Sequence, residues 1–123
     1  MDQREIALLA AKALDDKRAK DIVVLKVEEM TVITDYMVIA TGRSVPQVKA
    51  LCEHVEEELA KEDVFARRRE GMSEGLWCVL DYGDVMVHVF HEQDREYYQL
   101  ERLWADGTNE IGVEYDAADA GQA

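Results

Sequence analysis

Two short apolar runs separated by a tight polar turn give the clearest structural signal along the chain. The stretch WCVLDYGDVMVHVF, residues 77–90, places apolar and β-branched residues on both sides of Tyr82 and Gly83. A two-residue loop with glycine at its second position is typical of a β-hairpin, because glycine adopts positive φ without strain. Asp81 and Asp84 flank the two residues, and aspartate side chains commonly bond turn amides. The pattern predicts a hairpin whose loop is Tyr82-Gly83.

Helical spacing of apolar residues marks three other segments. In residues 3–18 and 91–104 they recur three and four positions apart, which predicts a helix in each segment. Another helix is predicted to start at Ser44, because Ser44 and Gln47 form an S-x-x-Q capping box and Pro46 lies in the first turn. The buried face of this helix is predicted to contain Val48, Leu51, Cys52, Val55 and Leu59. The apolar face of the last helix is predicted to contain Tyr97, Leu100, Leu103 and Trp104, with Arg95 outside it.

The remaining apolar runs are short and predict strands. Residues 22–27 and 36–41 are rich in β-branched residues and are predicted as interior strands, whereas the basic run 64–70 is predicted as an edge strand. With the hairpin and the helices, this order predicts one α/β domain over residues 1–104, with a mixed sheet of about five strands and flanking helices. Residues 105–123 are mostly small or acidic and lack hydrophobic periodicity, which predicts a disordered tail.

The charge balance favours a protein partner over a nucleic acid. Among 123 residues there are 27 acidic and 14 basic side chains, which give a formal net charge of −13. Such a chain repels a phosphate backbone on average and attracts a basic protein surface. The same acidic surface can serve solubility alone, so charge does not decide between the two interpretations.

Cysteine usage and the start of the chain indicate a cellular location. Cys52 and Cys78 lie far apart in sequence inside apolar patterns and lack a Cys-x-x-Cys spacing. They are therefore expected to be core residues in a reducing compartment. The opening residues, MDQREIALLAAKAL, resemble neither a signal peptide nor a membrane span. We therefore expect a cytoplasmic protein without a membrane segment.

The predicted turn carries the most concentrated candidate chemistry. Asp81 and Asp84 can simply form the turn, or they can present an acidic anchor beside an exposed Tyr82 to a basic partner. A metal-bound carboxylate pair would need a further ligand near the turn. His88 and His91 lie three residues apart across a strand end, a spacing that does not bring both to one metal. They are predicted to be core or turn histidines.

Three other groups have both structural and functional interpretations. The Gly42-Arg43-Ser44 turn lies where a strand meets a helix and could hold an anion, although ordinary helix capping explains it equally well. Arginines 67–69 could contact RNA phosphates, but charge on an edge strand also prevents aggregation. Trp104 is predicted in the core, and Trp77 remains an interface candidate because it starts a hairpin strand.

Several of these segments together resemble the bacterial ribosomal silencing factor family, also called the Iojap family. The resemblance runs from Asp21 to Trp104 through DIVVLKV, ITDYMVIATGRS, Glu70-Gly71, WCVLDYGDVMVHVF and REYYQLERLW, in that order. It implies a small α/β domain related in fold to nucleotidyltransferases but without enzymatic activity, cofactor or metal. On this basis the chain is expected to be a binding protein.

The resemblance also implies a partner and a contact surface. Family members bind the large ribosomal subunit at its protein numbered fourteen, on the intersubunit face, and block association with the small subunit. Translation is thereby silenced when nutrients are scarce, and organellar relatives assist large-subunit biogenesis. A minor contact with ribosomal RNA and a homodimer are further possibilities. The residues expected to contact the ribosomal protein are Glu70, Trp77, Asp81, Tyr82, Asp84 and His88.

Two alternatives come from other functional classes. An active, magnesium-dependent nucleotidyltransferase would bind a triphosphate at residues 42–44. It would hold the metal with two carboxylates that lie two positions apart on a strand. Here that spacing occurs in Glu56 and Glu58, and again in Asp94 and Glu96, within predicted helices. Residues two apart on a helix do not face each other, so these pairs argue against the enzyme. The other alternative is an acidic scaffold or dimerisation domain that pairs through an edge strand.

Overall fold

The structure is a computed structural model that describes residues 1–112. Within these residues, four helices and five strands form one α/β domain. They are α1 (Gln3–Asp16), β1 (Lys20–Lys26), β2 (Tyr36–Gly42), α2 (Val45–Ala60), β3 (Arg68–Glu70), β4 (Trp77–Asp81), β5 (Val85–His91), α3 (Glu92–Tyr98) and α4 (Glu101–Trp104).

The five strands form one mixed sheet, as predicted. Their order is β1-β2-β5-β4-β3. β2 and β5 are parallel, with Tyr36 opposite Val85 and Gly42 opposite His91. The three other pairs are antiparallel. The last strand in sequence therefore lies in the middle of the sheet.

Helices α1 and α2 cover one face of the sheet, which we call the inner face. All five residues predicted for the buried stripe of α2 are fully buried, and Ala10, Ala13 and Leu14 of α1 pack in the same core. Ser44 caps α2 as predicted, because its Oγ accepts a hydrogen bond from Gln47 N at 3.2 Å. The other half of the capping box differs, since the Gln47 side chain accepts from Arg43 N instead of Ser44 N.

Helices α3 and α4 lie on the opposite, outer face. The single helix predicted over residues 91–104 is interrupted at Gln99, whose φ of 49° is left-handed. Leu100 is consequently buried in a second core cluster with Phe90 and residues of β1 and β2, and Trp104 packs against it. Tyr97 and Leu103 are exposed, so their predicted place on a buried face is wrong.

The prediction of two interior strands holds for β2 but not for β1, which is an edge strand. Both faces of β1 are nevertheless covered, since Val24 packs in the inner core and Leu25 in the outer one. Double-sided burial produces the apolar run that is typical of an interior strand. The sequence pattern alone therefore gave the wrong position for β1.

Part of the predicted disordered tail covers the edge of β1. Lys26 N donates to Asn109 O at 2.9 Å, and Ile111 N donates to Val24 O at 2.8 Å. The Asn109 amide also donates to Trp104 O at 2.8 Å. Backbone pairing of residues 109–111 thus covers the edge of β1, while the disorder expected for the tail stays a prediction. The rest of the predicted tail, residues 113–123, lies outside the described residues.

The basic run predicted as an edge strand is shorter than expected. β3 contains only Arg68–Glu70, at the sheet edge. Val64 instead turns back toward α2, where its N–H donates to Leu59 O at 3.0 Å and its side chain packs against the inner core. The residues predicted to start this strand therefore pack against the end of α2 instead.

Candidate functional site

Strand alternation sorts the six residues predicted to contact a partner. Cys78 and Leu80 of β4 point into the inner core, so Trp77 and Asp81 project from the outer face. On neighbouring strands, His88 and Glu70 are both paired with Val79 of β4. Four predicted residues therefore share the outer face, namely Glu70, Trp77, Asp81 and His88.

Trp77 and His88 form a packed unit at one end of this group. Trp77 Nε1 donates to His88 Nδ1 at 3.1 Å, which fixes the imidazole as the tautomer with its proton on Nε2. The Trp77 ring lies 4.8 Å, centroid to centroid, from the rings of both Phe90 and Tyr98. Trp77 itself is half-buried. It lies between core and solvent, so its role as an interface residue stays a prediction.

His88 is a core histidine, as the sequence predicted. It is only 5% exposed, and its Nε2 has no hydrogen-bond partner within residues 1–112. Burial lowers the pKa of His88 to about 4, so the ring is neutral at physiological pH. His91, by contrast, caps α3 by accepting from Gln93 N. Neither histidine is placed to act with the other on a metal.

The outer face stays open toward β3. Helices α3 and α4 pack over β1, β2 and Phe90 of β5, and the surface beyond them contains a depression of about 40 Å³. It is lined by two apolar side chains, Val79 and Met86, and by three charged ones, Arg68, Glu70 and Asp81. Sequence reasoning missed Val79 and Met86, although alternation along the hairpin from Trp77 and His88 would have placed both on this face.

The hairpin turn differs from the prediction by one residue. Tyr82 N donates to Val85 O at 2.9 Å, so these two residues close the hairpin and the loop is Gly83-Asp84. Gly83, at φ 87°, supplies the positive dihedral at the first loop position instead of the second. Asp81 Oδ1 accepts from Gly83 N at 2.7 Å, which confirms its role in forming the turn.

Asp84 lies at the exposed tip of the hairpin. Its carbonyl accepts from the N–H groups of Asp35 and Tyr36, which ties the loop to the start of β2. The side chain is exposed at the surface. Asp84 can therefore contribute negative charge there while its backbone supports the sheet.

Tyr82 is not the exposed anchor that the sequence predicted. It follows Cys78 and Leu80 in alternation, is half-buried, and packs against the inner core. Its hydroxyl is buried with no hydrogen-bond partner in the described part of the chain. Burial raises the pKa of Tyr82, and nearby Glu56 raises it further. The ring therefore points away from the other predicted contact residues.

We expect Tyr82→Phe to leave partner binding unchanged. The substitution removes a buried hydroxyl without a partner, so the free energy of unfolding should stay the same or rise by about 1 kcal/mol. Urea denaturation and a binding titration with large ribosomal subunits, the partner that the sequence resemblance implies, check both statements. If Tyr82→Phe keeps its stability but binds more weakly, the Tyr82 hydroxyl is part of the contact surface.

Comparison with known proteins decides the family. The family model described as "Ribosomal silencing factor during starvation" matches residues 1–123. The protein named "Ribosomal silencing factor RsfS" from Bacillus subtilis (strain 168) is 42% identical over 106 residues, which cover 86% of this chain and 90% of that protein. The chain belongs to the ribosomal silencing factor family.

More distant and structural relatives agree with this assignment. "Protein Iojap, chloroplastic" from Zea mays is 33% identical over 103 residues, which cover 83% of this chain and 44% of that protein. A crystal structure of a protein from Chromobacterium violaceum superposes with a TM-score of 0.83 at 39% identity, covering 96% of this chain and 97% of that one. The resemblance to the ribosomal silencing factor family seen in the sequence is confirmed.

In this member of the family, the Gly42-Arg43-Ser44 turn is a helix-capping device. A Cβ on Gly42 would lie 2.7 Å from Val48 Cγ2, so glycine lets α2 approach the sheet closely. The Arg43 N–H is bonded to Gln47, and its guanidinium donates to Arg18 O at 3.2 Å. Capping and close packing thus account for the whole turn.

The candidate catalytic carboxylates are on helices, as the sequence predicted. Glu56 and Glu58 lie in α2, and Asp94 and Glu96 lie in α3. The arginines considered for RNA contact have acidic neighbours: Arg69 is 2.9 Å from Glu56, and Arg68 is 3.6 Å from Asp81. These geometries favour the structural interpretations of both groups.

No helix within residues 1–112 has the length and apolar character needed to cross a membrane.

Sequence reasoning missed two buried interactions in this family member. Arg95, predicted to be outside, is 9% exposed and donates to Asp21 O at 2.8 Å and to Thr41 Oγ1 at 2.9 Å. Cys52 and Cys78, far apart in sequence, meet between α2 and β4, where hydrogen bonding between the thiols and burial raise the pKa of Cys52. Both thiols are free and buried, as expected for core cysteines.

Proposed function

We propose that this chain is a non-enzymatic translational repressor that binds the large ribosomal subunit and blocks joining of the small subunit. The partner on the large subunit is its protein numbered fourteen, on the intersubunit face. Membership of the ribosomal silencing factor family supports silencing at the ribosome, and the outer sheet face supports the manner of binding. A role in large-subunit biogenesis follows from the same contact.

The observation that carries this proposal is the uncovered outer face of β4 and β3. Its centre holds partly exposed apolar side chains, Trp77, Val79 and Met86. Charged side chains surround them: acidic Glu70 and Asp81 and basic Arg68 lie on the same face, and Asp84 lies at the hairpin tip. An apolar centre with a charged rim is the usual composition of a protein interface. The acidic majority of this rim fits a basic ribosomal protein, and the net charge of −13 steers the encounter.

The proposed contact surface therefore contains five of the six residues predicted from sequence. They are Glu70, Trp77, Asp81, Asp84 and His88, with His88 acting from beneath by orienting Trp77. Tyr82 is left out because its ring packs on the inner face. Two neighbours, Val79 and Met86, are added because they lie between the others.

Sedimentation of purified protein with separated ribosomal subunits tests the proposal. We expect the protein to migrate with the large subunit in a sucrose gradient, and we expect fewer intact ribosomes when small subunits are added afterwards. A protein that stays at the top of the gradient while subunits join normally would contradict it. Cross-linking on the bound fraction tests the proposed protein partner, the minor contact with ribosomal RNA, and a homodimer. Cell fractionation tests the expected cytoplasmic location.

A further inference from the structure

We propose that Asp16, His54 and Glu58 form a binding site for a divalent transition-metal cation, with Zn²⁺ as the best match. The site joins the end of α1 to α2 on the inner side of the molecule. Imidazole nitrogen and carboxylate oxygens are ordinary ligands of Zn²⁺ in proteins. The site is separate from the outer face, so it is independent of the proposed ribosomal contact.

The helices bring the three side chains together. His54 and Glu58 lie one turn apart on α2 and so share a face, and Asp16 is the last residue of α1. One candidate ligand atom from each residue lies within 4.8 Å of the other two. His54 Nε2 is 3.5 Å from Asp16 Oδ2. Tetrahedral zinc with bonds of about 2.0–2.2 Å holds its ligands about 3.3–3.6 Å apart, so this pair already has the required separation.

The orientation of His54 also fits a metal ligand. Its Nδ1 faces Glu57 Oε2 at 3.9 Å, while Nε2 faces Asp16. In metal sites the distal ring nitrogen typically points toward a carboxylate or carbonyl, which leaves the other nitrogen for the metal. The neutral tautomer with its proton on Nε2 donates a hydrogen bond to Asp16 Oδ2. The tautomer with its proton on Nδ1 instead presents the Nε2 lone pair beside Asp16 Oδ2, where both atoms can bind one cation.

Neighbouring lysines hold the two carboxylates without using all their oxygens. Lys12 Nζ contacts Asp16 Oδ1 at 3.2 Å, which leaves Oδ2 toward His54. Lys61 Nζ pairs with Glu58 Oε2. Hydrogen bonding from Lys61 lowers the pKa of Glu58, so this carboxylate is ionised at neutral pH. The side chains of Asp16, His54 and Glu58 are 34%, 17% and 23% exposed, so an ion can enter from solvent.

Zinc titration of untagged, chelator-treated protein tests this site. An affinity tag of histidines must be avoided because it would bind zinc itself. We expect one ion per chain by calorimetry, and a rise in Tm of about 5 °C or more at saturating ZnCl₂. MgCl₂ at the same concentration should have little effect, because Mg²⁺ prefers an all-oxygen shell. Co²⁺ should give a visible absorption band when bound by the protein.

Two variants distinguish this site from zinc bound elsewhere. His54→Gln and Glu58→Gln should each weaken binding at least about 10-fold and abolish the rise in Tm. The matched control, His91→Asn, alters another partly exposed histidine and should bind zinc like the natural chain. The proposal fails if the natural chain shows neither heat of binding nor a rise in Tm. It also fails if His54→Gln binds zinc with unchanged affinity.

Discussion

Lowering the pH from 7 to 4 should remove about 3 kcal/mol from the free energy of unfolding through His88 alone. In the folded protein burial lowers the pKa of His88 to about 4, from the ordinary value of 6.5. At about 1.36 kcal/mol per pKa unit, the difference of about 2.5 units corresponds to about 3.4 kcal/mol, of which about 3 kcal/mol is lost by pH 4. Between the two pKa values, His88 is mostly protonated in the unfolded chain and mostly neutral in the folded chain. Stability is therefore complete above pH 6.5 and falls as the pH drops toward 4.

Urea denaturation of the natural chain and of His88→Asn at several pH values measures this contribution. Asparagine can still accept the hydrogen bond from Trp77 Nε1 but does not titrate. His88→Asn should therefore lose much less stability between pH 6.5 and 4 than the natural chain does. His91→Asn makes the same substitution at a partly exposed histidine and serves as the matched control. Equal slopes for the natural chain and His88→Asn would show that His88 is not the group responsible.

Reversing two charges at the rim of the outer face should weaken binding to the large subunit by about 100-fold. In Glu70→Lys/Asp84→Lys both positions are exposed, so the fold should be retained. Each reversal turns attraction into repulsion at a basic partner and should cost about 1.4 kcal/mol, which is a tenfold loss of affinity. Binding titrations with isolated large subunits measure the change, and circular dichroism with urea denaturation checks the fold.

A matched variant separates local contact from total charge. Glu53→Lys/Glu62→Lys makes the same change in net charge at exposed positions on and just after α2. It should slow association at low salt, because steering depends on the whole charge, and should lose this effect as salt screens it. Its affinity at physiological salt should stay within about threefold of the natural chain. Equal losses in both double variants would contradict a contact on the outer face.

The inner core was predictable because its periodicity had one interpretation. In α2 the Ser44 cap and the stripe ending at Leu59 specify the start, the register and the buried face of the helix. The hairpin strands were predictable for the same reason, since alternation around a turn leaves few other pairings. The loop position was not, because Tyr82 and Asp84 are both acceptable loop residues beside Gly83. Because the loop begins one residue later than predicted, Tyr82 is not an exposed loop residue, and its ring packs on the inner face.

The errors on the outer side came from interactions distant in sequence. Nothing around Gln99 signals a helix break, because neither glycine nor proline is near it. The break follows from packing Leu100 against Phe90 and from Arg95 bonding to Asp21 O and Thr41. These partners belong to other elements, so the periodicity of residues 91–104 does not predict the contacts with them. The family resemblance implied a partner, and only the structure showed which predicted residues share a face.

The central position of β5 has a consequence for how this protein is made. Residues 1–60 contain β1 and β2, and β2 must wait for a parallel neighbour that begins at Val85. During synthesis the sheet therefore cannot close until residue 91 has left the exit tunnel. Until then the edge of β2 that later pairs with β5 is unpaired and can pair with the wrong strand. Pairing between strands so far apart in sequence is also slow. A protein proposed to act on ribosomes thus completes its own sheet only after residue 91 has left the ribosome that made it.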